Sequence, residues 1–241
     1  MRIYNHFTVL TGLLLSQVTL FMFKRFYSIF GLTAFLTVAA PVAATPLHDA
    51  VRNNELAVAQ SLLASASGRE YREARDTTGR TPLLLATELN RIELARTLIS
   101  AGANVNASDA KQDSPYLLAG AEGRLEILKM TLAHGADLHS TNRYGGTPLI
   151  PAAEHGHVET VRTLIAAGVN IDHVNRLGWT ALLEAILLSD GGTDQQEVVR
   201  LLISAGANVN LPDNDGVSPL QHADKRGYAE ISALLRAAGA R

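Results

Sequence analysis

The sequence predicts an all-α repeat solenoid, a stack of about six helix–turn–helix units with short turn or hairpin fingers. A Thr/Ser-Pro pair recurs, with Thr-Ala in one copy, and its starts are separated by 36, 33, 33, 33 and 38 residues. About twenty residues after each start in the inner copies, a short apolar run ends in a small-residue turn such as Ala101-Gly102-Ala103. A fixed period of this length is the signature of a stack in which each unit buries its apolar face only against its neighbours.

Each unit has the same predicted parts in the same order. Thr or Ser caps a first helix, and the proline after it has its φ already set and needs no N–H partner there. A second helix follows, with helical apolar spacing as in residues 93–99, and ends at a glycine. An Asp/Asn…Gly turn then leads to the next cap. The predicted units are residues 45–80, 81–113, 114–146, 147–179, 180–217 and 218–241.

These residues resemble the ankyrin repeat, whose pattern runs Gly-x-Thr-Pro-Leu-His-x-Ala, then Gly-His, then Gly-Ala-Asp-Val-Asn. Thr147-Pro148-Leu149, Gly156-His157 and Ala207-Asn208-Val209-Asn210 match it in phase. The resemblance covers residues 45–241. It implies a protein-binding scaffold without catalysis, and a partner that meets the turn tips and the first helices along a concave groove. It also implies that His48 is a structural partner of the cap hydroxyl.

Three copies depart from the pattern. The first lacks the Gly-Ala-Asp element, and the third has Gln112 where the tip glycine belongs, which predicts a distorted turn. The fifth carries five extra residues around 189–193 between its helices. Asp190 to Asp194 lacks the Asp-x-Asp-x-Asp-Gly spacing of a calcium loop, so a flexible connection is favoured.

Residues 1–44 predict a leader. Two uncharged apolar runs, 7–23 and 26–44, are separated only by Lys24 and Arg25, too short a link for two membrane helices. The second run has signal-peptide grammar, with a basic start at Met22, a break at Pro41 and small residues up to Ala44. We therefore expect a signal peptide at 22–44, translation from Met22 rather than Met1, and export. The alternative is an uncleaved single-helix membrane anchor.

Composition narrows the function classes. The formal net charge is −2, and without residues 1–44 it is −5, from 18 basic and 23 acidic residues, which argues against nucleic-acid binding. The absence of cysteine excludes thiolate catalysis and Cys-based zinc sites. No nucleophile elbow or phosphate-binding Gly-rich loop is present, so no catalytic residue, metal or cofactor is predicted. A metal-dependent enzyme using His155, His157, His173 and the 190–194 loop is the least favoured alternative.

The partner-binding hypothesis follows from mapping the groove positions of the family onto each unit. The four tips that lead into the second to fifth units contribute one cation each, and two aromatic residues lie beside them; aromatic and Arg residues are the usual anchors of protein interfaces. The candidate residues are Arg80, Lys111, Arg143, Tyr144, Glu154, His155, Arg176, Leu177, Trp179, Lys225 and Arg226. They predict a protein partner, with an acidic segment facing the basic tips, for a scaffold of the bacterial periplasm or envelope. Two alternatives stay open: the tips are charged only because they are exposed, and the protein is an effector that binds proteins of another cell.

Overall fold

A computed structural model of the chain describes residues 44–241. The predicted leader lies outside these residues, apart from Ala44. The described part forms thirteen α-helices and no strand. They are α1 (Pro46–Arg52), α2 (Leu56–Ala64), α3 (Gly68–Glu73), α4 (Pro82–Glu88), α5 (Ile92–Ser100), α6 (Pro115–Ala121), α7 (Leu125–Ala133), α8 (Leu149–Glu154), α9 (Val158–Ala166), α10 (Ala181–Leu187), α11 (Thr193–Ser204), α12 (Pro219–Arg226) and α13 (Ala229–Ala237). Within residues 44–241, no helix is long and apolar enough to cross a membrane.

The helices form two parallel rows. The first helices α1, α4, α6, α8, α10 and α12 each pack on the next one in that row. The second helices α2, α5, α7, α9, α11 and α13 do the same, and each second helix also packs on its own first helix. One continuous apolar core runs between the rows, from Leu47 to Leu235. The predicted all-α solenoid is confirmed.

The predicted caps form in most units. Thr81, Ser114 and Thr180 each accept a hydrogen bond at 3.2 Å from the backbone N–H three residues later. Thr147 makes no such bond, because α8 begins only at Leu149, and its buried hydroxyl has no hydrogen-bond partner within the described residues. The shared role predicted for the Thr/Ser position is therefore not met in the fourth unit.

His48 closes the first cap. Its Nδ1 accepts from the Thr45 backbone N–H at 3.2 Å and lies 3.0 Å from the Thr45 hydroxyl. An accepting Nδ1 puts the ring proton on Nε2, which donates to the Arg80 carbonyl at 2.9 Å. Burial lowers the pKa of His48, and the hydrogen bond to Arg80 offsets part of that. The neutral ring thus holds the first helix to the first finger.

Five fingers, numbered in chain order, share one turn geometry: residues 76–80, 109–113, 142–146, 175–179 and 213–217. In each, the Asp or Asn side chain that opens the turn accepts from the backbone N–H groups two and four residues later, as Asp76 does from Thr78 and Arg80. The fourth residue of the turn has positive φ, including Gln112 at 66°. Gln112 N–H still donates to the Asp109 carbonyl at 3.1 Å, as the glycines do in the other fingers. The prediction of a distorted turn at Gln112 is wrong, because the backbone of Gln112 adopts the left-handed conformation and makes the same hydrogen bond as the glycines.

The inserted loop between α10 and α11 is fastened rather than free. The Tyr228 hydroxyl donates to the Ser189 carbonyl at 2.7 Å, and the Gln196 side chain donates to the Gly191 carbonyl at 3.0 Å. Gly191 has φ of 70° and lies against the Tyr228 ring, leaving no room for a Cβ. The loop is therefore tied to the sixth unit, contrary to the flexible connection expected from sequence.

Candidate partner-binding groove

Two depressions lie where the fingers face the first helices. The first, of about 310 Å³, is lined by residues of the first two fingers and of α4, including Arg80, Lys111 and Glu88. The second, here called the central depression, has a volume of about 320 Å³ and lies beside the third and fourth fingers. Its apolar wall comes from Leu118, Ala121, Tyr144, Ile150, Pro151, Leu177 and Leu188, and its charged groups are Asp113, Glu122, Arg143, Glu154 and Glu184.

Seven of the eleven residues predicted from sequence line these depressions. Arg80 and Lys111 line the first, Arg143 lines both, and the central one contains Tyr144, Glu154, His155 and Leu177. Four lie outside both, namely Arg176, Trp179, Lys225 and Arg226. The structure thus separates a central set of candidate residues from a peripheral one.

The peripheral residues have structural contacts of their own. The Arg176 guanidinium donates to the Arg143 carbonyl at 2.9 Å, and its backbone N–H donates to the Tyr144 carbonyl at 2.9 Å. Arg226 donates to the Leu187 carbonyl at the end of α10. Trp179 is partly buried next to the fourth finger turn. Arg176 and Arg226 therefore link neighbouring units.

Two of the predicted cations are already paired. Arg80 lies 2.9 Å from Asp76 and 2.5 Å from Glu88. Arg143 lies 3.2 Å from Asp113, and its guanidinium is 4.7 Å from the centre of the Tyr144 ring. Burial raises the pKa of Asp113, although the charge of Arg143 opposes that rise. These arginines are not free charges facing a partner.

The carboxylates of the groove outnumber its cations. Six carboxyl groups line the two depressions against three cations; they are Glu88, Asp109, Asp113, Glu122, Glu154 and Glu184, with Arg80, Lys111 and Arg143. Sequence reasoning missed Glu88, Asp109, Glu122 and Glu184. The signal was present, since Glu88 and Glu122 fall seven and eight residues after their cap residues, at the groove end of the first helices. The expected basic edge, and with it the acidic partner segment, is not favoured by these charges.

Glu184 is the most buried of these carboxylates. It is 6% exposed and stands on α10 at a position occupied by Leu85, Leu118 and Pro151 in earlier units. The Asn175 amide donates to its Oε1 at 2.8 Å. Burial raises the pKa of Glu184 to about 7, with repulsion from Glu154 adding to the rise and the bond from Asn175 opposing it.

An equivalent contact between a finger residue and a first-helix residue occurs in the last unit, where it joins an aspartate to a histidine. His222 Nε2 lies 2.7 Å from Oδ2 of Asp213, nine residues earlier, as Glu184 lies nine residues after Asn175. Each pair joins a donor to an acceptor. An Asp at position 175 would instead place two carboxyl groups together, whereas the Asn amide can donate a hydrogen bond to Glu184.

Exposed apolar side chains gather in the central depression. Six large apolar residues are exposed among residues 44–241, and three of them line it: Tyr144 at 51%, Leu177 at 49% and Leu188 at 48%. Exposed apolar side chains that share one concave site distinguish an interaction surface from scattered surface apolar residues.

The histidines that suggested a metal site make other contacts. The rings of His155 and His157 are 5.6 Å apart. His134 Nδ1 lies 2.8 Å from the Met130 carbonyl, and His173 Nε2 lies 2.6 Å from the Gly145 carbonyl. Across residues 44–241, no three His, Asp or Glu side chains are grouped as metal ligands would be.

Comparison with known families decides the relationship. A family model described as ankyrin repeats, in three copies, matches residues 26–109 and 116–213. The chain belongs to the ankyrin repeat family. Ankyrin repeats are generally protein–protein interaction modules, and the fold is typically a binding scaffold without catalytic activity.

Individual ankyrin repeat proteins show the same relationship. An ankyrin repeat domain from Acinetobacter baumannii AYE is 61% identical, with a TM-score of 0.78 over 81% of this chain and 98% of that one. The ankyrin repeat protein EF0377 is 40% identical, with a TM-score of 0.75 over 82% of this chain and 98% of that one. The ankyrin repeat domain of Bcl-3 is 29% identical, with a TM-score of 0.73 over 82% and 87%.

A curated ankyrin repeat protein, YahD of Escherichia coli (strain K12), is 53% identical over 58 residues. The match covers 24% of this chain and 29% of the length of YahD.

Proposed function

We propose that this ankyrin stack is a non-catalytic scaffold or adaptor that binds a protein partner in the central depression. The observation that carries the proposal is the grouping of Tyr144, Leu177 and Leu188, all about half exposed, in one concave site. A partner that covers them removes apolar area from water at about 25 cal/mol per Å². Tyrosine is one of the residues that contribute most to binding at protein interfaces.

The rigidity of the fingers supports the proposal. Asn142 and Asn175 each accept two backbone hydrogen bonds within their turns, from Tyr144 and Gly146 and from Leu177 and Trp179. The two fingers are also joined directly, because the Arg176 N–H donates to the Tyr144 carbonyl. Tyr144 and Leu177 are therefore held in place before a partner arrives, which lowers the ordering cost of binding.

Capture of the partner from the native host tests the proposal. The full chain serves as bait, as wild type and with the double substitution Tyr144→Ser and Leu177→Ser. A matched control carries Val58→Ser and Val174→Ser, two equally exposed apolar residues that line neither depression. We expect a specific co-purifying protein with the wild type and the control, and its loss with the groove variant. Equal capture by all three chains would exclude the central depression.

We further propose that this module acts in the periplasm or is secreted. Support comes from the signal-like residues 22–44 and from the bacterial sources of two similar proteins. N-terminal sequencing of the protein from its host is expected to give Thr45 as the first residue. A mature start before Phe26 would contradict cleavage and favour the single-helix anchor. Fractionation then separates an envelope scaffold, found in the periplasm, from an effector found in the medium.

A further inference from the structure

The charges of the central depression are strongly one-sided. Four carboxyl groups line it, from Asp113, Glu122, Glu154 and Glu184, and Arg143 is its one cation within the described chain. Arg143 already lies 3.2 Å from Asp113. Glu122 lies 4.0 Å from Arg124, a residue outside the depression, whereas no cation of residues 44–241 pairs with Glu154 or Glu184. An arriving acidic group would meet this surplus of negative charge, whereas a cation would relieve it.

Glu184 points to where such a cation belongs. The residue is nine-tenths buried, yet it lines the depression. Its Oε1 accepts from Asn175 at 2.8 Å, and among residues 44–241 no hydrogen bond reaches the other oxygen of the carboxyl group. A buried carboxylate is costly unless a charge or donor completes its hydrogen bonds. The fold does not demand a carboxyl group here, since the second, third and fourth units place Leu85, Leu118 and Pro151 at this position.

The apolar part of the site lies beside these carboxylates. Tyr144, Leu177 and Leu188 line the same depression as Glu154 and Glu184. A ligand that fits both parts therefore carries an apolar side chain and a cation close together. Lysine and arginine combine an apolar stem with a charged head, which suits a site with an apolar wall and a carboxylate.

We infer that the partner docks through a segment in which an apolar side chain stands next to a lysine or arginine. The apolar side chain lies on Tyr144, Leu177 and Leu188, and the cationic group binds Glu184 and Glu154. This inference rests on the proposed function and specifies the chemistry of its partner. It reverses the charge expected from the tip cations, because Arg143 is neutralised within the chain.

A peptide selection with a double-mutant cycle tests the inference. The probe is a displayed library of random peptides of about twelve residues, selected on the full chain. An enriched peptide is then synthesised, and its affinity is measured by fluorescence anisotropy for wild type, Glu184→Gln and Glu154→Gln. A matched control, Glu159→Gln, removes an exposed carboxyl group that lies outside both depressions. Thermal unfolding of each variant checks that the stack is intact.

We expect enriched peptides with lysine or arginine near an aliphatic or aromatic residue. Glu184→Gln should weaken binding on the order of tenfold, as the loss of a charge-assisted hydrogen bond does, and the control should not. Replacing the lysine or arginine of the peptide by glutamine should weaken its binding to wild type, but should weaken its binding to the Glu184→Gln chain much less. If Glu184→Gln unfolds, the same cycle with Glu154→Gln decides.

The two ways of failing are distinct. Enrichment of acidic peptides would overturn the inference. It would also be overturned if removing the cation of the peptide weakened binding to both glutamate variants as much as it weakens binding to wild type. If binding of such peptides were still lost with Tyr144→Ser and Leu177→Ser, the proposed function would stand. If no enriched peptide depended on Tyr144 and Leu177, both would fall.

Discussion

At the residue scale, Glu184 couples the groove to the stability of the stack. Burial first, and repulsion from Glu154 second, raise its pKa from 4.5 to about 7. Between these values the folded chain keeps a proton that the unfolded chain releases. The contribution of Glu184 to the free energy of unfolding therefore falls as pH rises from about 4.5 to about 7 and levels off above that.

Glu184→Gln should remove that slope. The free energy of unfolding of the variant minus that of wild type should increase from pH 5 to pH 8, by on the order of 2 kcal/mol. Urea unfolding at pH 5, 6, 7 and 8 measures the difference. The lowered pKa values of Asp76 and Asp213 act below this range, those of His48 and His157 act within it, and all of them are common to both chains. Parallel pH profiles would show that Glu184 titrates as a surface carboxyl group does.

Tyr116 presents the opposite case, a buried polar atom without a visible role. Its side chain is fully buried in the core, and among residues 44–241 its hydroxyl has no hydrogen-bond partner. Burial raises the pKa of Tyr116, so the hydroxyl stays neutral. An unsatisfied buried hydroxyl costs about 1–3 kcal/mol. Tyr116→Phe should therefore leave the free energy of unfolding unchanged or raise it by about 1 kcal/mol, measured by urea unfolding. A loss of more than 1 kcal/mol would mean that the hydroxyl is bonded in solution.

At the element scale, the finger turn tolerates changes of sequence because its hydrogen bonds are backbone and Asx bonds. Gln112 has a positive φ of 66°, a conformation that costs free energy in residues with a side chain. Gln112→Gly should raise the free energy of unfolding by about 1 kcal/mol. At the equivalent position of the fifth finger, Gly216→Ala should lower it by a similar amount, since φ is 76° there and no atom of residues 44–241 lies within 4 Å of the added Cβ. Thermal unfolding compares the two, and a destabilised Gln112→Gly chain would contradict the shared turn.

Local sequence patterns predict most of the elements within each unit. Caps, helix pairs and finger turns follow from residues within one period, and the helices of each unit lie where the repeat pattern predicts them. The short α3 helix and the fastening of the inserted loop were missed. The loop is held by Tyr228, 39 residues after Ser189, and no local pattern announces a contact of that range.

At the scale of the whole molecule, each unit of the described stack packs against and hydrogen-bonds to its neighbouring units. Asn106 donates to the Gly135 carbonyl of the next unit and accepts from the Asp137 N–H, and Asn210 makes the equivalent pair of bonds to Gly239 and Arg241. Stability in such a stack is approximately a sum over units and their interfaces. Groove substitutions should therefore disturb the units that carry them and little beyond.

The groove itself was predicted by family geometry, and its charge was not. Mapping positions unit by unit found Tyr144, Leu177 and Glu154, because the fingers and first helices recur in register. The pairing of Arg80 with Glu88 and of Arg143 with Asp113 crosses from finger to helix or from one finger to the next. Such pairings depend on side-chain positions in space, and counting cations along the tips overlooks them.

The most direct test of a partner-binding central depression is a hydrogen–deuterium exchange footprint of the full chain, free and with its captured partner. We expect slowed exchange in the third and fourth fingers and at the groove ends of α8 and α10, with α5, α7 and α9 unchanged. Protection confined to the second helices, or absent from the fingers around Tyr144 and Leu177, would contradict it.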